Sequence, residues 1–130
     1  MSSIKYTCHL IDSFSALAGQ SGVAPHEVFG AAVRLVGWMT ESEDSSVRAL
    51  MIEEMKDVAP DMLAQKHTQA FGYFVQALSD IASTEKNGFG KQATASLNSI
   101  AIRIEDHHPA EAQALKAQVK KVSAGRNILN

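Results

Sequence analysis

Two groups of residues in this chain have the types and spacing to hold a metal ion. Glu53, Glu54 and Asp57 fall in a stretch of helical periodicity. Carboxylates three or four residues apart share a helix face there and can offer oxygen ligands to a divalent cation. Farther along, Glu105-Asp106-His107-His108-Pro109-Ala110-Glu111 crowds imidazoles with carboxylates, both of which ligate zinc or iron. A metal held by either group could activate water for hydrolysis. Both groups also have an ordinary use. Glu53 and Asp57 lie opposite Met51, Met55 and Val58 on the helical wheel, as a solvated face does. Asp106 or His108 stands where it can cap a helix opening at Pro109. His67, expected in the middle of a helix, is separated from both groups. Cys8 and His9 are neighbours, and adjacent residues on a helix point about 100° apart, which is no geometry for a nucleophile and its base. Cys8 is therefore expected to be a buried thiol. There is no G-x-S-x-G, no phosphate loop and no dinucleotide fingerprint.

Two partial resemblances bear on these residues. The run Glu53, Glu54, Asp57 is similar to one of the two acidic runs of the all-α nucleotide pyrophosphohydrolases, which implies a metal-dependent hydrolase. The second run is not matched, because Asp80 and Glu85 are five residues apart and face different ways. Leu17-Ala18, Gly22-Val23, Val28 and Ala31 resemble the spacing of a helix-turn-helix over residues 14–33. That resemblance implies a DNA-binding regulator whose polar contacts would be His26 and Arg34. Ala24, Pro25, Phe29, Gly30 and Val33 would share the groove-facing surface, where Arg, Lys, Asn or Gln normally read bases.

The elements that must position these residues are helices. Ala, Leu and Met, all good helix formers, dominate the apolar 45% of the 130 residues, whereas aromatics are 6%. The net charge of −2 gives no global attraction to nucleic acid or anionic lipid. Its distribution is uneven: 5 Lys and Arg against 11 Asp and Glu up to Glu85, then 7 against 3. One cysteine excludes an intrachain disulfide. No stretch approaches the roughly 20 apolar residues of a membrane span, and the opening segment lacks the pattern of a secretory signal. No membrane partner and a cytoplasmic location are expected.

Apolar residues recur at helical spacing in six segments. The first, over residues 6–18, puts Leu10, Phe14 and Leu17 on one face with Ile11 and Ala18 beside them, and Gly19 as a left-handed cap. The second starts at Pro25 and is apolar nearly all round to Met39. The third carries Val47, Leu50, Met51, Met55 and Val58, and Pro60 closes it or starts the next. The fourth spans Leu63 to Ala82, and Asn87-Gly88-Phe89-Gly90 breaks the chain before the fifth. The sixth follows Pro109. The expected fold is all-α, a compact bundle of five to six mostly antiparallel helices, with one domain over residues 1–122 and a C-terminal tail over 123–130. So apolar a second helix predicts an interface carrying Phe29, Val33, Trp38 and Met39, since aromatics and Met concentrate at interface cores. The function expected is a non-enzymatic binding or regulatory protein, of the adaptor, inhibitor or immunity type. It would act through a helical protein–protein surface, as a homodimer or with another protein, and need no cofactor.

Overall fold

A computed structural model describes residues 3–84 and 88–129, with side chains as far as residue 123 at the C-terminal end. The described residues form six helices and no strand, so the all-α class expected from the sequence holds. The helices are α1 (Ser3–Gly19), α2 (Pro25–Glu41), α3 (Ser45–Ala64), α4 (Thr68–Thr84), α5 (Gly88–Ile104) and α6 (Pro109–Leu129).

Local chemistry accounts for most of the helix ends. Pro25 opens α2 behind an extended Ala24, where its missing N–H costs nothing, and Glu27 sits in the first turn near the positive end of the helix dipole. Asp44 caps α3, its Oδ1 accepting from the Ser46 N–H at 2.9 Å. Pro109 opens α6 behind His108, whose carbonyl accepts from the Ala112 N–H at 2.9 Å. The expected left-handed glycine is Gly22, at φ +85°, and not Gly19, which ends α1 as helix.

The stop of α3 is less obvious. His67 N–H donates to the Met62 carbonyl at 2.7 Å, and Lys66 N–H to the Leu63 carbonyl at 3.0 Å. That pair of bonds is a Schellman cap, and its left-handed position is filled by Lys66 at φ +66° where glycine is usual. Three expectations are corrected as a result. The fourth helix starts at Thr68, Leu63 belongs to α3, and His67 stands just before α4 rather than within it. Pro60 neither closes nor opens a helix but lies inside α3. An interior proline costs about 3 kcal/mol. Here that loss is offset by burial of Ala59, Met62 and Leu63 beside it, which ties the last turns of α3 to the core.

Two further boundaries shift. Gly88 and Gly90 fall in the first turn of α5 rather than in a breaker before it, with Gly90 buried; Asn87 and Glu85 lie outside the described residues. Residues 123–129, expected as a tail, continue α6 as helix.

The chain divides into two compact units, Met1–Phe74 and Val75–Asn130, and the division falls inside α4. In the first unit α1, α2 and α3 pack on one another. Their core is built from Ile11, Phe14, Val28, Leu35, Met39, Met51, Ile52, Met55 and Met62, all buried. The buried face of α1 is Thr7, Ile11, Phe14 and Ala18. It is therefore turned from the expected Leu10–Phe14–Leu17 stripe, and Leu10 and Leu17 are only half-buried. From α4, Phe74 stacks on Phe14 with ring centres 5.2 Å apart. In the second unit α5 packs on α6, burying Leu97, Ile100 and Ile104 together with Ala112, Leu115 and Val122.

Candidate interaction surface

Turning Leu10 and Leu17 out of the core gives α1 a second apolar edge. Tyr6, Leu10, Ser13 and Leu17 follow one another at intervals of four, three and four, so they form a strip along one side of the helix. On α2 the matching strip is Ala31, Arg34, Leu35 and Trp38. The two helices run antiparallel, since Tyr6 near the start of α1 stacks on Trp38 near the end of α2, with ring centres 4.8 Å apart. Between the strips lies a groove of about 180 Å³, lined by Leu10, Ser13, Phe14, Leu17, Ala31, Arg34 and Leu35. Its lining holds only two polar side chains, Ser13 and Arg34.

The Tyr6–Trp38 end is clasped by a hydrogen-bond chain. Trp38 Nε1 donates to Thr7 Oγ1 at 2.7 Å, and that hydroxyl donates to the Ser3 carbonyl at 2.7 Å. Thr7 is fully buried, and a buried hydroxyl must find a partner; this chain supplies both an acceptor and a donor for it. Arg34 is the charge of the site. It is exposed and makes no hydrogen bond or ion pair with any described residue. A Cβ at Gly30 would stand 3.8 Å from Arg34 Nη1, so the guanidinium lies back over the preceding turn of α2.

The residues expected to form an interface are not brought onto one face. Met39 is buried in the first-unit core, and Phe29 packs edge-on against Tyr73 at 5.6 Å. Val33 is exposed on another side of α2, and Trp38 stacks on Tyr6 one turn beyond Arg34, outside the groove lining. His26 and Arg34, the polar contacts of the helix-turn-helix reading, are both exposed on α2, but Glu27 and Glu41 are exposed on the same helix.

Among the described residues no group of three or more His, Cys, Asp and Glu is placed to hold a metal ion. Glu53 is engaged by Lys56, Glu54 is half-buried, and Asp57 is exposed. His107 is exposed on the turn after α5 and His108 is the residue before α6. Cys8, expected to be buried, is exposed on α1. His67 is the polar group that sequence reasoning misplaced most. It is buried, and neither ring nitrogen has a hydrogen-bond partner.

The fold and site define an all-α protein with a shallow apolar groove edged by one unpaired guanidinium. No family model, no curated protein and no solved structure matches the chain. No described helix is long and apolar enough to cross a membrane.

Proposed function

We propose that this chain is a binding or regulatory protein, of the adaptor, inhibitor or immunity type, that engages a protein partner through the α1–α2 surface. The observation that carries this reading is the groove itself. Leu10, Leu17 and Leu35 edge it, and Arg34 offers the only charge in its lining. A groove with one serine and one arginine holds no acid–base pair, which favours binding over catalysis. At about 180 Å³ it is also below the roughly 300 Å³ at which pockets for small organic ligands begin. It is better suited to an anchoring side chain at the centre of a protein interface, where a few apolar contacts and an arginine supply most of the energy.

Photocrosslinking tests this reading. A photoreactive residue at Ser13, in the groove, should give a discrete protein adduct in cells of the source organism. The same residue at Asp57, exposed on α3 and outside the groove lining, should give none. Absence of an adduct from position 13, or equal labelling from both positions, removes the reading.

A further inference from the structure

The link between α3 and α4 is Gln65-Lys66-His67, and two of its residues are poorly placed in it. Lys66 holds φ at +66°, in the left-handed region where a Cβ crowds the carbonyl that follows. His67 is buried and neither ring nitrogen has a hydrogen-bond partner, so the imidazole has lost water without gaining anything in its place. No glycine, asparagine or proline stands in the link to suit a turn. Gln65 and Lys66 are instead good helix formers.

Beyond the link, α4 as far as Phe74 belongs to the first unit. Ala70, Phe71 and Phe74 are buried, Phe74 stacks on Phe14 of α1, and Tyr73 meets Phe29 of α2 edge-on. None of these contacts depends on which copy of the chain supplies α4. With the link straightened, α3 runs on into α4 as one helix, the two Schellman bonds give way to ordinary helical ones, and Thr68–Phe74 leaves its own first unit. The same segment of a second copy, released in the same way, carries the same aromatic side chains into the place left open. Exchange therefore keeps the aromatic contacts and removes only what is unfavourable in the closed link, the left-handed lysine and the unpartnered imidazole. A short hinge under strain is the circumstance that invites such an exchange.

We propose that Gln65-Lys66-His67 is a domain-swapping hinge, through which two copies of the chain exchange everything from Thr68 onward, each first unit being completed by Thr68–Phe74 of the other copy. This goes beyond the functional reading above and makes no use of the groove. The exchange is mutual, so association closes at two copies. The state of one turn decides whether α3 ends at Ala64 or continues into α4, and with it whether the chain is a monomer or a dimer.

Sedimentation equilibrium of the full chain, brought to equilibrium at millimolar concentration, tests the proposal. The wild type should show a dimer at twice 14.0 kDa and nothing larger. Lys66→Gly relaxes the left-handed position and His67→Leu removes the unpartnered ring. Each should make the monomer more resistant to urea and yet weaken dimerisation about tenfold, since two links are relieved in every dimer. Should His67→Leu fail to fold, Lys66→Gly, at an exposed position, makes the test alone. Spin labels on Asp57→Cys and Gln76→Cys, with Cys8 replaced by serine, separate exchange from side-by-side association. In a labelled chain diluted among unlabelled ones, the two labels should lie about 28 Å apart along a continuous helix in the dimer, and closer together in the monomer. A wild type that stays monomeric at millimolar concentration overturns the proposal. So does dimerisation that a folded variant leaves unchanged or strengthens, and so does a label distance that is the same in dimer and monomer.

Discussion

Replacing Thr7 with valine keeps the shape of the side chain and removes the one hydroxyl that joins α1 to the Trp38 indole. Two hydrogen bonds go with it, at 2.7 Å each. Losing the bond to the Ser3 carbonyl costs about 0.5–1.5 kcal/mol. Stranding the indole N–H costs about 1–3 kcal/mol when the donor is buried, and here the lower end applies because Trp38 is half-buried and water can reach part of its edge. Against this, a methyl at a fully buried position returns about 0.8 kcal/mol. The balance is a destabilisation of about 1–2 kcal/mol. Urea unfolding followed by far-ultraviolet circular dichroism measures it, with an unchanged denaturant slope as the sign that only stability moved. Trp38→Phe completes a double-mutant cycle that isolates the Trp38–Thr7 bond, with an expected coupling of about 1 kcal/mol. If the two units unfold in separate transitions, only that of the first unit should shift, since both residues lie within Met1–Phe74. A coupling inside the roughly 0.3–0.5 kcal/mol scatter of independent sites would show that the clasp contributes nothing, and the account of how α1 is held against α2 would fall.

Lys66→Gly should stabilise the chain by about 0.5–1 kcal/mol, because glycine occupies a left-handed cap without the Cβ clash that lysine bears at φ +66°; a loss of stability in urea would contradict the Schellman assignment. His67→Leu should also stabilise, by about 1 kcal/mol, by removing two buried ring nitrogens that have no partner, and a calorimetric fall in melting temperature would show that the imidazole is satisfied in solution. Pro60→Ala should add about 1–3 kcal/mol by restoring the N–H donor missing from the interior of α3. Denaturant midpoints below that of the wild type would mean that the proline instead sets a bend the core requires.

The parts of this fold that could be read from the sequence are those decided within a few residues. Pro25 and Pro109 each announce a helix start through the chemistry of their own backbone, and each helix begins where they indicate. Boundaries set by packing were not legible in the same way. Pro60 forbids a helix locally, yet α3 continues because Ala59, Met62 and Leu63 are buried around it. Lys66 gives no hint of a left-handed backbone, which arises from two bonds to carbonyls three and five residues back. The site was hidden for a related reason. Leu10, Phe14 and Leu17 look like one inner stripe, and only the packing of α1 against α3 decides that Ile11 and Ala18 take the core and leave Leu10 and Leu17 at the edge of a groove. Arg34 was visible as the lone cation of α2, but its place beside those leucines depends on how two helices align.

The stack of Tyr6 on Trp38 gives this molecule an optical window on one end of its α1–α2 surface. Trp38 is the only tryptophan in the chain, so its emission comes from one place and needs no deconvolution. It sits one turn beyond Arg34, in ring contact with one helix and hydrogen-bonded to the same helix through Thr7. A partner that extends from the groove over the Tyr6–Trp38 end would dehydrate the indole edge, change the quenching by the phenol, or part the two rings. A titration read at the tryptophan band would therefore report engagement of the Tyr6–Trp38 end of this surface in the unlabelled native chain.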